Sequence, residues 1–243
     1  MVRWAELRER AIAVERLLLP GECLLCHARL AEREWDALAC GLCRSRWRVL
    51  PPPCCARCGQ PGLADLGCRF CVEWAPALAR VRSAVWLQGS AREAVHHLKY
   101  GGWTGMARAM AEPMRGLEPL HGQGLLVPVP LGEKRIRERG YNQADVLARA
   151  LARLTGLPVR SDLLRRARET RSQTALTPSA RAANVHDAFM ASRTAGDRLV
   201  LVDDVCTTGA TLVAAAEALH EAGASQVDAV TFARAPLPVP GSM

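Results

Sequence analysis

Apolar residues along this chain fall into two spacings. Near the C-terminus Leu199, Val200, Leu201 and Val202 run without a break into Asp203-Asp204, then into Val205-Cys206-Thr207-Thr208-Gly209-Ala210-Thr211. Such a run, closed by a polar turn, predicts a buried strand. The apolar residues 212–222 predict a helix directly after it. Further strands are predicted at 81–87, at 124–129 ahead of Pro130, and at 226–233. Between them the spacing turns helical. Ser90-Ala91-Arg92-Glu93 reads as a capping box opening a helix to His97 or Lys99. A second helix is predicted from about Trp103, after Tyr100-Gly101-Gly102, and a long amphipathic one over 142–154. Trp4, Leu7, Ala11, Val14 and Leu18 recur at helical spacing, which predicts an amphipathic docking helix over 1–20. Strands alternating with helices indicate an α/β fold with a parallel sheet.

The predicted strand end at Asp203 and Asp204 carries the most specific chemistry. In open α/β sheets ligands bind at the carboxyl ends of strands. Successive backbone N–H groups, hydroxyls and a helix N-terminus make an anion cradle there. The two acids repel phosphate but suit sugar hydroxyls and a hydrated Mg²⁺, which keeps several of its waters. The ligand implied has a ribose, a phosphate and a metal-bound second anion. Cys206 is expected to pack as a small apolar side chain.

Two polar stretches qualify this picture. Residues 131–139 read as a strand-to-helix loop with Lys134, Arg135, Arg137 and Arg139, followed by Gly140-Tyr141-Asn142-Gln143. Guanidinium groups so placed suit a multiply charged anion, although a solvated charged loop has the same composition. Residues 166–184 are polar, with Arg166, Thr170, Gln173, Thr177, Ser179 and Arg181. They read as a basic loop that closes over a bound phosphate, or as a plain connection.

Nine of the ten cysteines lie between Cys23 and Cys71, and eight of them form Cys-x-x-Cys pairs: Cys23/Cys26, Cys40/Cys43, Cys55/Cys58 and Cys68/Cys71. Two such pairs make a tetrahedral sulfur cage, so two structural Zn²⁺ ions are expected. Disulfides and an iron–sulfur cluster are the alternatives. Pro51-Pro52-Pro53 divides the pairs into two successive sets; an interleaved pairing, or Cys54 replacing Cys55, also fits the spacing. Gly41 and Gly59 are expected at the knuckles, and His27 is read as a bystander. Metal binding would stabilise a region with little core of its own.

The organisation expected is a helix at 1–20, a double zinc ribbon at 21–75, an α/β domain at 80–235 and a disordered tail at 236–243. No stretch approaches the ~20 apolar residues of a membrane span, and charges interrupt the N-terminal apolar positions, so a cytoplasmic protein is expected. The net charge is +8. Residues 132–171 hold eleven basic and five acidic side chains, a local +6 that suits a polyanion. Trp47, Trp74, Trp86 and Trp103 are candidates for stacking on single-stranded nucleic acid.

The segment 199–211 resembles the phosphoribosyl pyrophosphate (PRPP) signature of type I phosphoribosyltransferases. That resemblance implies that Asp203 and Asp204 contact the ribose hydroxyls and that Thr207, Thr208, Gly209, Ala210 and Thr211 hold the 5-phosphate. Over roughly 23–234 the chain resembles the ComF (ComFC) competence-protein family, a double zinc ribbon fused to a phosphoribosyltransferase-type domain. The resemblance rests on the four cysteine pairs, Leu98-Lys99-Tyr100, Val127-Pro128-Val129-Pro130-Leu131, and Arg137-Glu138-Arg139-Gly140-Tyr141-Asn142-Gln143. It continues through the series Arg166, Thr170, Gln173, Leu176, Arg181 and Asn184 to the signature itself. It implies a part in natural transformation, handling single-stranded DNA beside a helicase, with Mg-PRPP as ligand. The alternative is a working transferase that displaces Mg-bound pyrophosphate from PRPP with a nitrogen nucleophile. Lys134, Arg135, Arg137, Arg139, Arg166, Gln173 and Arg181 would then face the leaving group. No glutamine amidotransferase domain is visible, and no acceptor pocket can be located from the sequence.

Overall fold

The computed structural model describes residues 21–31, 34, 38–62, 68–167, 188–194 and 196–236. Its elements in chain order are α1 (Gly41–Ser45), β1 (Leu78–Trp86), α2 (Gly89–Tyr100), α3 (Met106–Met114), β2 (Leu125–Pro128), α4 (Glu133–Arg139), α5 (Gln143–Thr155), β3 (Leu164–Arg166), β4 (Phe189–Ala191), β5 (Arg198–Cys206), α6 (Ala210–Glu221) and β6 (Gln226–Arg234). Four strands form one sheet in the order β1-β6-β5-β2, every pairing parallel. The short β3 and β4 pair antiparallel beside it. The predicted helix at 1–20, the tail from 237 onward and the loop residues Thr170, Gln173, Thr177, Ser179 and Arg181 lie outside the described residues.

Both faces of the sheet are covered, as a parallel sheet requires. Val200 and Val202 of β5 pack with Val230 and Phe232 against α2, α3 and α5. Leu199 and Leu201 turn the other way, against α6, Phe189 and the second set of cysteines. This alternation is the strand period of two. It reverses at the strand end, where Val205 joins the first cluster and Cys206 the second. At the opposite end of the sheet the buried Asp228 takes Arg198 Nη2 (3.0 Å), Arg80 Nε (3.3 Å) and Gln226 Nε2 (2.8 Å).

The cysteine-bearing segments cover the free edge of β1. Val81 N–H donates to Arg57 O and Trp86 N–H to Arg48 O, both at 2.8 Å, and Val49 bridges Val85. An edge strand is thereby closed to further pairing.

Three local expectations change. Residues 133–139 are helix α4, not loop; none of its residues is buried, so no apolar stripe announces it. The helix at Ser90 starts at Gly89 with Gln88 as N-cap and no side-chain cap bond, so the capping box does not form. Ser90 Oγ instead donates to Cys43 O (3.3 Å). Gly41 is not a knuckle residue: its φ is not positive, and its N–H donates to Glu34 Oε1 (2.6 Å) at the start of α1.

Candidate functional site

The eight paired cysteines gather into two successive groups, Cys23/Cys26/Cys40/Cys43 and Cys55/Cys58/Cys68/Cys71, with all four sulfurs of each within 4.8 Å of one another. Neighbouring sulfurs stand 3.7 Å apart in the first group and 3.5 and 3.7 Å apart in the second. Zn–S bonds of about 2.3 Å to tetrahedral corners require about 3.8 Å between sulfurs, so both cages fit Zn²⁺. Cys54 is in neither group; its Sγ faces Pro51 O at 3.3 Å. In each group the first pair forms the same knuckle. His27 N–H returns to Cys23 O (2.8 Å), as Gly59 N–H returns to Cys55 O (2.9 Å). The turn needs positive φ: 59° at His27 and 69° at Gly59. His27 is thus a bystander to the ligand set, as expected, while its backbone forms the knuckle.

The thiols are electrostatically unequal. Burial raises Cys23 and Cys55, but backbone N–H donors outweigh it and bring both down to about 7. Burial pushes Cys71 up to about 11 and raises Cys40, Cys43 and Cys58. Four crowded thiols cannot all ionise unaided; a bound cation makes that possible.

The second centre is the carboxyl end of β5. Asp204 is 3% exposed and pairs with Lys99 from the last turn of α2, Nζ to Oδ2 2.6 Å. Burial disfavours the Lys99 ammonium, yet the Asp204 charge more than offsets it and holds Lys99 above the usual lysine range. Asp203 keeps part of its surface open at the strand end. Desolvation there, and then the charge of Asp204, push its carboxyl well above the ordinary value. Asp203 Oδ1 accepts the Asp204 N–H (2.8 Å). The two adjacent acids therefore differ: one is neutralised by lysine, the other is held ready for a proton or a cation.

Beyond the acids, Thr207 is exposed and Thr208 Oγ1 accepts from Ala210 N–H (3.4 Å). Gly209 caps α6 at φ 82° with no side-chain cap bond. The helix closes its first turn through Val213 N–H to Gly209 O (2.9 Å). Amides ahead of that bond point out of the helix end, where an anion is favoured. The sequence missed three neighbours of this loop. Lys99 is one of only two lysines among 32 basic residues, a signal that was available. Trp74 packs on Gly209 so closely that a Cβ there would lie 2.2 Å from its ring. Arg234, wholly buried, lies 3.7 Å from Cys206 Sγ through Nη1.

The other predicted contacts are dispersed. On α4, Lys134 approaches Glu138 (3.9 Å) and Arg137 approaches Glu133 (3.7 Å), both on the surface. Arg135 is exposed beside them. Arg139 Nη1 donates to Gln143 Oε1 (2.6 Å), and its guanidinium lies 5.0 Å from the Tyr100 ring. Tyr141 Oη donates to Leu98 O, tying that turn to α2. Arg166 sits on β3, over Phe189. Gln173 and Arg181 lie outside the described residues. Of the four tryptophans offered as stacking candidates, Trp47 is buried edge-on to Phe232 and Trp74 is covered by the loop. Trp103 is 44% exposed and Tyr100 68%.

The phosphoribosyl transferase domain family matches residues 136–237, the part that holds β5, the loop and α6. The chain is 32% identical over 221 residues to the DNA utilization protein YhgH of Escherichia coli, covering 87% of this chain and 96% of that one. It is 30% identical over 231 residues to competence protein ComFC of Bacillus subtilis, covering 87% and 94%. It is 35% identical over 114 residues to competence protein F of Haemophilus influenzae, covering 45% and 50%. With two cysteine cages ahead of a parallel-sheet phosphoribosyltransferase fold, the chain belongs to the ComF competence-protein family.

Proposed function

We propose that the end of β5 binds Mg-PRPP and that the protein serves DNA uptake by handling single-stranded DNA in the cytoplasm. The observation that carries the ligand reading is the pair of acids, Asp204 paired with Lys99 and Asp203 raised, directly ahead of a helix N-terminus that has no side-chain cap. Asp203 and Asp204 would hold the ribose hydroxyls; residues 207–211 would hold the 5-phosphate through backbone N–H groups and hydroxyls. Mg²⁺ would supply positive charge on the pyrophosphate. Lys99 pairs with Asp204 and fixes its side chain. The raised carboxyl of Asp203 suits a group that ionises when a cation arrives. The names of the relatives, DNA utilization and competence proteins, support the cellular role. In this reading residues 21–75 form a zinc-stabilised unit and 80–235 the ligand-binding one.

Calorimetric titration with PRPP and Mg²⁺ tests the site. The wild type binds and Asp204→Asn binds at least about tenfold more weakly; equal affinities would remove the acids from it. The DNA reading draws on the exposed Tyr100, which lies beside Arg139, and on the exposed Trp103 three residues further along the chain. Aromatic stacking beside basic groups suits single strands. A labelled oligonucleotide should bind more weakly as salt rises. Absence of binding at low salt would leave the second reading, transfer of ribose 5-phosphate to a nitrogen acceptor, assayed by pyrophosphate release.

A further inference from the structure

We propose that Trp74 positions the phosphate loop, so that the second cysteine cage and the end of β5 stabilise each other through it. The metal arm rests on the fit of that cage to Zn²⁺; the ligand arm rests on the Mg-PRPP reading.

Trp74 follows the last cysteine of the second cage by three residues, and its N–H donates to Cys71 O (3.1 Å). Arg57, inside the knuckle between Cys55 and Cys58, clamps the same segment. Its guanidinium donates to Cys71 O (3.1 Å), Trp74 O (3.0 Å) and Leu78 O (3.3 Å), and also to Ala75 O. The backbone around Trp74 is thus fixed from both sides of the cage. The ring then lies against Gly209, the left-handed residue that starts α6. Phe70 packs edge-on to Trp74 at 5.6 Å. A side chain held by the cage therefore sets the position of the residue whose turn aims the loop amides.

Arg234 supplies a second connection. It donates to Cys58 O and to Gln60 Oε1, both at 2.8 Å, lies 4.5 Å from the Phe70 ring, and reaches Cys206, the residue just before Thr207. Its Nη2 is buried without a hydrogen-bond partner, and no carboxylate pairs with it among the described residues. A buried guanidinium lacking an anion is costly. Four thiolates around a divalent ion leave a net negative cage, which balances this charge. Among the described residues the first cage has no such path to the loop: Trp47 packs on Phe232 (5.0 Å), Ser90 Oγ of α2 donates to Cys43 O (3.3 Å), and Arg48 and Val49 pair with β1. It serves as an internal control.

The test uses the full zinc-loaded chain with Gly209→Ala, Trp74→Ala and Trp74→Phe. Zinc release to a chromogenic chelator should show one of the two ions leaving about tenfold faster in Gly209→Ala, within the usual range of coupling. Hydrogen exchange should rise at residues 55–58 and 68–74 and stay unchanged at 40–45. In calorimetry Trp74→Ala should bind Mg-PRPP about tenfold more weakly, and Trp74→Phe should recover most of that loss. Mg-PRPP should slow release of the same ion in the wild type and not in Trp74→Ala. If Trp74→Ala fails to fold, Gly209→Ala and Trp74→Phe still decide. Wild-type release from Gly209→Ala, or equal loosening of both cages, overturns the coupling. A wild type that does not bind Mg-PRPP overturns the ligand reading alone, because zinc release needs no ligand.

Discussion

The two cysteine cages share one local chemistry and differ in what surrounds them. Each begins with the same knuckle, and each has one thiol lowered to about 7. In the first the sulfurs keep a small cluster with Leu30, and Cys26 is exposed, while the neighbours Leu24, Leu25, Ala39 and Trp47 reach the core of α2, α3 and α5. In the second all four sulfurs are buried, in the same core as β5, β6 and α6. A zinc site can therefore be a local staple or a wall of the domain that follows, and ligand spacing does not distinguish the two. The distinction comes from the side chains that reach in, Arg57 from the knuckle and Arg234 from the sheet.

Removing each cage in turn is the strongest way to break this comparison. Cys40→Ser with Cys43→Ser, and Cys58→Ser with Cys68→Ser, should each lower bound zinc by one ion per chain in metal analysis. The second pair should cost roughly 3–5 kcal/mol more in chemical denaturation, since it leaves Arg234 buried beside no anion. Equal losses of stability would show that Arg234 is balanced by something else.

Gly59→Ala attacks the second knuckle without touching a ligand. The position combines φ 69° with a Cβ that would lie 2.8 Å from Val81 O, a backbone atom unable to swing aside. Strain in the left-handed region and the clash together should cost about 2–3 kcal/mol. Ordinary stability in urea melts would mean that the knuckle and β1 are less tightly joined than the Val81 to Arg57 bond indicates.

The pH dependence of stability sharpens the comparison from the site beside the second cage. The raised carboxyl of Asp203 holds its proton in the folded chain over a range where the unfolded chain has lost it. The folded state binds more protons there, so stability falls as pH rises from the ordinary carboxylate value toward the folded one. Asp203→Asn removes that loss. In denaturation series from acid to neutral pH, the variant should gain on the wild type as pH rises; a constant difference would place the Asp203 carboxyl in an ordinary environment.

Features contiguous in the chain were legible, and those made by distant partners were not. The run from Leu199 to Thr211 shows strand, acids, turn and helix start in order, and the structure has them as β5, the loop and α6. The cysteine spacing and the prolines after Leu50 pointed to successive cages, now seen as two groups. Helix α4 was missed because it has no buried face to impose a period. The capping box at Ser90 matched a pattern, but β1 leads into α2 through only Leu87 and Gln88, and the helix starts one residue early. Lys99, Trp74 and Arg234 meet the loop across many intervening residues, and only folding brings such partners together. Trp74 and Arg234 have no local pattern that marks them.

The smallest effect asks whether the two knuckles are truly equivalent. His27 and Gly59 occupy the same turn, one residue after the second cysteine of a pair, at φ 59° and 69°. Only glycine adopts that region without a Cβ penalty. His27→Gly should therefore stabilise the folded chain by about 1 kcal/mol, after allowing for the greater freedom glycine gives the unfolded chain. His27 is exposed and no cage uses it as a ligand, so zinc content should stay at two ions. Chemical denaturation with metal analysis checks both numbers together. A gain with unchanged zinc would show that the first knuckle is the second one built with a strained residue. A loss of stability would mean that the histidine side chain makes a contribution larger than its strain, and the two cages would then differ in local chemistry as well as in surroundings.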